Sequence, residues 1–252
     1  MESVTLPLIT IALLLFAAFI AGYIDTLVGG GGLITIPALM LAGVPPIYAL
    51  GTNKLQAVAG SGTATLTLLR KRSIRFGDLI WLMISAFIGS IAGAIAIQYF
   101  DATILRFAIP IVIVLIAAYF IFSSAKSLVE SEAKIDKRTY GVSAVPGIGV
   151  YDGMFGPGTG SFFVWAGVSL RGQSIVNSTM TAKALNFATN IAALIVFAFY
   201  AKVLWQIGLI MMFGQSLGAY FGTKSLMTIS PALLRYLVIA ICFVMLIAWA
   251  IP

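Results

Sequence analysis

Asp25-Thr26-Leu27-Val28-Gly29-Gly30-Gly31-Gly32, followed further on by Gly51-Thr52-Asn53-Lys54-Leu55-Gln56, is the stretch that decides how the chain folds. A second version reads Asp152-Gly153-Met154-Phe155-Gly156-Pro157-Gly158-Thr159-Gly160, followed by Thr181-Ala182-Lys183-Ala184-Leu185-Asn186. Each has an acid, then a glycine cluster, then a lysine in an apolar background. Four glycines in a row hold no helix well, so the chain must break there. Yet the surroundings are 61% hydrophobic and only 9% charged, with a mean hydropathy of +1.08. A soluble domain needs more polar surface than that, so the composition predicts a polytopic membrane protein. The apolar runs are too long and continuous for the alternating strands of an outer-membrane barrel, which leaves helices.

The net charge of +7 does not point to nucleic acid. The basic residues cluster in short loops beside apolar runs, as in cytoplasmic loops. There is no histidine, and Cys242 is the single cysteine, set in an apolar run. A disulfide framework and a thiolate metal site are thereby excluded, and most transition-metal sites and the commonest general base go with histidine. No cofactor or metal is expected. The absence of a nucleophile–base pair argues against an intramembrane enzyme, and the absence of a Walker motif against direct ATP drive. The first apolar run, residues 6–22, lacks a basic leader and precedes further spans, so it reads as a retained helix.

Outward from the first break, helices are predicted over residues 6–23, 47–69, 79–99 and 103–122, with a half-helix over 33–42. About ten residues cannot cross a hydrocarbon core of about 30 Å. After a mixed-charge loop the pattern restarts. A piece over 140–151 leads to the second break, then come a half-helix over 161–170 and spans over 175–200, 203–221 and 231–251. The halves can be superposed by number. At an offset of 127, Gly22, Asp25, Gly29 and Gly31 fall on Gly149, Asp152, Gly156 and Gly158. Past the break, at an offset of 129, Gly43, Thr52, Lys54, Gly89, Gly93, Leu105 and Arg106 fall on Gly172, Thr181, Lys183, Gly218, Gly222, Leu234 and Arg235. The expected fold is all-α: two homologous transmembrane halves, residues 1–125 and 140–252, joined by a cytoplasmic linker over 126–139. Each half has four long helices plus one short broken or half-helix.

Whether the repeats are parallel or inverted turns on whether the half-helices complete a crossing. With the basic loop 70–75 placed inside, the inverted arrangement puts 11 loop lysines and arginines inside and 2, Arg106 and Lys202, outside. In the parallel arrangement Lys202 moves in and Arg171, Lys224 and Arg235 move out, giving 9 against 4. The excess of positive charge inside favours inversion.

The chemistry sits at the breaks. A short helix after a break leaves about four backbone N–H groups unpaired at its start. In hydrocarbon these must line a cavity or meet a ligand, and the partial positive charge of the helix start favours an anion. Gly30, Gly31 and Gly32, and Gly158, Thr159 and Gly160, are therefore candidate anion-binding positions. Gly89 with Gly93 and Gly218 with Gly222 fit close helix packing instead. A lysine at a helix centre costs about 2.5–3.5 kcal/mol to insert, so Lys54 and Lys183 are rarely idle there. Each lies two residues after a threonine (Thr52, Thr181) and near amides (Asn53 and Gln56, Asn186). Ser61, Gly62 and Asn190 continue the polar face. Ammonium, hydroxyl and amide donors together suit a small oxyanion. Asp25 and Asp152 have three readings: an ion pair with a lysine, a proton carrier that couples transport, or a helix-end cap. Arg106 and Arg235 sit near helix ends and read as headgroup contacts; Gln215 is a lone polar residue in an apolar span.

The Asp-x-x-x-Gly-Gly-Gly-Gly-Leu-Ile-Thr-Ile-Pro run, with Gly-Thr-Asn-Lys-Leu and a second copy carrying Ala-Lys-Ala-Leu-Asn, resembles the TauE/SafE sulfite-exporter family of bacterial and archaeal permeases. The likeness covers essentially the whole chain; Pro157 interrupts the second glycine segment and departs from the pattern. The resemblance implies movement of sulfite, sulfoacetate or a related sulfur oxyanion or organosulfonate across the plasma (inner) membrane. Small anionic substrate and lipid are then the partners, a homodimer is an allowed assembly, and a secondary transporter working by alternating access is the expected function. A passive anion channel, or carriage of another small oxyanion or carboxylate, remains the alternative.

Overall fold

The fold was analysed in a computed structural model, which describes residues 7–101 and 132–226 together with isolated positions between 103 and 118 and between 236 and 243. The spans expected over 103–122 and 231–251, with Arg106, Arg235 and Cys242, lie outside the described residues apart from those positions. Every element among the described residues is a helix.

Helix α1 (Leu8–Val28) runs through Asp25 and stops at Gly29, whose φ of +88° lies in the left-handed region and whose N–H returns to the Asp25 carbonyl at 2.7 Å. Only glycine takes that conformation without strain. The half-helix α2 (Gly32–Leu41) follows. It ends at Gly43 and the Val44-Pro45-Pro46 turn, and Pro46 then opens α3 (Pro46–Arg70), where its missing N–H costs nothing. Helix α4 spans Phe76–Ile97. The piece expected over 140–151 is instead two helices, α5 (Lys137–Val142) and α6 (Ala144–Met154), separated at Ser143. Asp136 caps α5 by accepting from the Arg138 and Thr139 N–H groups. The second half-helix, α7 (Thr159–Arg171), ends at Gly172, also left-handed, with Gln173 N–H returning to the Gly167 carbonyl. Helices α8 (Ile175–Phe199) and α9 (Trp205–Ser225) complete the described bundle.

Polarity is arranged inside out. Helices α1, α4 and α8 are long and apolar enough to cross a membrane. Leu8, Phe16, Trp81, Ile88 and Phe213 face outward, as an apolar solvent requires. Helix α3 is less apolar because it buries Thr52, Asn53, Lys54, Gln56, Ser61 and Thr65 in the interior.

Glycine seams bring the helices into backbone contact. On α9, a Cβ at Gly214, Gly218 or Gly222 would collide with the carbonyl oxygens of Leu15, Phe19 or Tyr23 on α1. On α4, a Cβ at Gly89 or Gly93 would collide with those of Pro146 or Val150 on α6. In both pairs the numbers rise together, so the paired helices run in the same direction. Between α3 and α8 the order reverses, with Gly51 against Phe197 and Gly62 against Phe187, so these two long helices run in opposite directions. The packing assignment for Gly89, Gly93, Gly218 and Gly222 therefore holds, and the same seams use Gly22 and Gly149.

Candidate functional site

The two breaks meet. Gly29, just after α1, lies against Gly160 in the first turn of α7 so closely that a Cβ on either would strike the other's Cα. Gly32 faces Pro157, 3.3 Å from where its Cβ would stand. The N-terminal ends of both half-helices are thus brought to one crossing, buried inside a bundle whose outside is apolar.

On either side of that crossing lies a lysine–aspartate pair. Lys54 on α3 donates to Asp152 Oδ1 on α6 at 2.7 Å, and also to the Asp152 backbone carbonyl. Lys183 on α8 donates to the backbone carbonyl of Asp25 on α1, with Asp25 Oδ2 at 3.6 Å. Both lysine side chains are 0% exposed. Each lysine therefore pairs with the aspartate of the other glycine stretch, not its own. The remaining aspartate oxygens are also engaged: Asp25 Oδ1 accepts from the Gly31 N–H at 3.1 Å, and Asp152 Oδ2 from the Thr189 hydroxyl. Gly156, with φ +96°, lies where a Cβ would stand 2.8 Å from Lys54 Nζ. Both ammonium groups are held inside the bundle and do not snorkel to an interface. Both aspartates form ion pairs, which offset the cost of burying each charge, and Asp25 also meets the start of α2 through the Gly31 N–H.

The chain is matched over residues 14–249 by the family profile described as "Sulfite exporter TauE/SafE". It belongs to the TauE/SafE family. It is 40% identical over 235 residues to a probable membrane transporter protein of Haemophilus influenzae, covering 93% of this chain and 92% of that protein. A probable membrane transporter protein, ORF9, of a Sinorhizobium species is 39% identical over 92% of this chain and 88% of its own length. The probable membrane transporter protein YfcA of Escherichia coli K12 is 38% identical over 93% of this chain and 87% of its own length. No solved structure matches. This chain is thus a membrane transporter protein by family, with apolar helices to suit.

In this TauE/SafE chain the other residues singled out by sequence divide into those at the crossing and those held elsewhere. Asn53 reaches the first break: its Oδ1 accepts from Thr35 at 2.6 Å and Gln56 at 3.2 Å, and its Nδ2 lies 3.6 Å from a Cβ position on Gly32. Asn186 reaches the second, with Nδ2 2.9 Å from a Cβ position on Gly160. Each half-helix start is thus met by an amide. Gln56 Oε1 and Asn186 Oδ1 are buried without a partner, so the polar interior has acceptor capacity to spare. Gly30 and Gly31 carbonyls start the α2 ladder, and Gly158 caps α7 in the left-handed region. The hydroxyls of Thr52 and Thr159 are already engaged. The Thr52 hydroxyl accepts from the Leu204 N–H at the start of α9, and Thr159 donates to the Gly156 carbonyl. Thr181 is buried on α8 two residues before Lys183, and Gln215 lies against Gly60 with Oε1 unpartnered.

Sequence reasoning missed Thr189, Thr35 and Tyr151. Thr189 stands three residues past Asn186, on the same helix face, and that spacing was the available signal. Tyr151 steadies the second break by donating to the Pro157 carbonyl at 2.5 Å. A cavity of about 420 Å³ lies between α3, α4, α8 and α9, next to the basic loop, lined by residues such as Val58, Thr65, Phe76, Met83, Phe187 and Ser216. Val58 follows Lys54 by one helical turn, and Phe187 follows Lys183 by one.

Proposed function

We propose that this chain is a secondary transporter exporting sulfite or an organosulfonate-type anion across the plasma (inner) membrane by alternating access. The observation that carries the reading is the crossing of two glycine breaks, flanked by two fully buried lysines, each held by a carboxylate. A buried ammonium already bound to a carboxylate is a group that can exchange one oxyanion for another. Lys54 and Lys183 supply the ammonium groups. Asn53, Gln56, Asn186 and the backbone of Gly30, Gly31, Gly32, Gly158 and Gly160 surround the place of exchange, and Thr52, Thr159 and Thr181 support it. The cavity beside the basic loop, whose Val58 and Phe187 lie one helical turn past Lys54 and Lys183, supports an approach from the side of that loop. Total burial of both lysines favours a carrier over an open pore.

We infer further that residues 1–125 and 140–252 are inverted repeats joined by the linker over 126–139. Two observations support this. The seam contacts recur at the sequence offsets: Phe19 with Gly218 corresponds to Pro146 with Gly89, and Tyr23 with Gly222 to Val150 with Gly93. And α3 and α8, the lysine-bearing counterparts, pack in opposite directions, as inverted repeats would place them.

The test is counterflow of labelled sulfite and sulfoacetate in proteoliposomes. Wild-type protein should accumulate label against a gradient of unlabelled anion, and Lys54→Ala with Lys183→Ala should abolish it. Undiminished counterflow in the double variant would refute the site.

A further inference from the structure

The two ion pairs are built unequally, and the difference assigns them different work. Around Asp152 everything is tight: Lys54 sits at 2.7 Å, Thr189 takes the second oxygen, and the side chain is 2% exposed. Around Asp25 the pair is looser: Lys183 stands 3.6 Å from Oδ2, Oδ1 is held by the Gly31 N–H, and the side chain is 16% exposed. Asp25 therefore occupies, as a carboxylate, the place an anion would take at the start of α2, against the α2 backbone and a buried ammonium.

We propose that Asp25 is the transporter's resident anion. It takes up a proton when substrate binds and yields Lys183 and the Gly31 N–H to the incoming oxyanion, while Lys54 stays paired with Asp152 and Thr189 and contributes its positive charge to the site without exchanging partners. The inference rests on the anion-transport reading. The exchange conserves charge for a singly charged anion. Before it, one ammonium faces one carboxylate. After it, the ammonium faces the substrate anion, and Asp25 is a neutral acid whose added proton comes from the aqueous side. For a singly charged anion such as hydrogensulfite the buried site remains neutral in both states, as hydrocarbon surroundings demand; a dianion such as sulfoacetate needs a second proton to enter on the same terms.

Among the described residues, few titratable groups face Asp25. Lys183 comes from α8. Lys54, on α3, is engaged by Asp152. Helix α2 has no titratable side chain, and α7 only Arg171 at its far end. Helix α9 meets α1 through Gly214, Gly218 and Gly222, while its Tyr220 and Lys224 are exposed and turned toward each other. Tyr23, two residues earlier on α1 itself, is half-buried.

The experiment compares wild type, Asp25→Asn and Asp152→Asn in proteoliposomes carrying a pH-sensitive dye, with sulfite and sulfoacetate as probes. Infrared spectra of the purified proteins follow carboxyl protonation. Wild type should move protons with the anion, bind it more weakly as pH rises, and gain a protonated-carboxyl band on adding the anion. Asp25→Asn should lose the proton movement, the pH slope of anion binding and the band, whatever counterflow rate remains. Asp152→Asn should keep the slope in whatever fraction folds. An Asp25→Asn protein that retains slope and band, or a wild type that carries either anion without protons, overturns the inference while leaving the lysine-dependent transporter standing. A wild type that moves neither probe overturns the transporter reading and this inference with it. Should Asp152→Asn fail to fold, Thr189→Val serves in its place, and loss of the pH slope there overturns the division of labour.

Discussion

Removing Lys54 alone strands Asp152. At 2.7 Å, and with an effective dielectric constant of about 20, the attraction between the two charges is on the order of 6 kcal/mol. Against it stands a desolvation cost of several kcal/mol for each ion, so the pair as a whole is close to neutral for stability. The single variant is another matter. Lys54→Met leaves a carboxylate that is 2% exposed with only the Thr189 hydroxyl as donor, which costs about 3–5 kcal/mol. For a chain of this length that corresponds to a fall in melting temperature on the order of 10 °C. Lys54→Met combined with Asp152→Leu removes both charges and should recover most of the loss. Thermal unfolding in detergent gives the melting temperatures, and counterflow on the same preparations gives activity. The expected pattern is a large loss for the single variant, recovery for the double variant, and no transport in either. A double variant whose loss equals the sum of the two single losses would show that the two charges do not interact, and the reasoning would fail.

Gly29→Ala should cost about 2–5 kcal/mol, because its φ is +88° and a Cβ would strike Gly160; a melting temperature within a degree of wild type would contradict the crossing. Thr189→Val should cost about 1–3 kcal/mol by leaving one Asp152 oxygen without a donor, and Thr189→Ser should restore it. The Asp136 carboxyl is held below its ordinary value of 3.8 by the Thr139 side chain and then by the Thr139 and Arg138 N–H groups. Its support of α5 is therefore complete above 3.8 and lost as pH falls through the depressed value. Exchange of the Arg138 and Thr139 amides, corrected for intrinsic rate, should rise over that acid range, and in Asp136→Ala it should be high throughout. For the inverted arrangement, cysteines introduced at Ser73 and Ser225 in a Cys242→Ser background should label from one face and a cysteine at Ala201 from the other; labelling of Ser73 and Ala201 positions together would reverse it.

The breaks and the buried lysines were legible because they violate the background. Glycine runs and ammonium groups in a hydrocarbon-rich chain need a reason, and the reason is local to the sequence. The partners were not legible. Lys54 reaches Asp152 across 98 positions and Lys183 reaches Asp25 across 158, and nothing in either segment says that the pairing crosses between stretches instead of closing within one. The extent of α1 was hidden for the same reason. Hydropathy stops the helix at Tyr23 because Asp25 follows, whereas the helix continues to Val28 once Lys183 offsets the acid. Thr35 and Thr189 escaped notice because a threonine in an apolar helix usually satisfies itself on the preceding turn. Both do so in part, Thr35 on the Gly31 carbonyl and Thr189 on that of Asn186, while also serving Asn53 and Asp152. Thr52 misled for the converse reason: its place beside Lys54 suggested a ligand, but its hydroxyl is taken by the start of α9.

Crossed pairing also bears on leakage. Were each lysine paired within its own glycine stretch, α3 could shift relative to α6, or α8 relative to α1, without exposing a charge. As built, either shift strands an ammonium and a carboxylate in a low-dielectric interior unless another charge takes the vacated place. If one stranded charge costs about 3–5 kcal/mol, an empty carrier changes face about 10²–10⁴ times more slowly than one in which an anion has replaced the carboxylate. Under the proposed alternating access, the same contacts that hold the bundle together would then enforce the rule that only a loaded site moves.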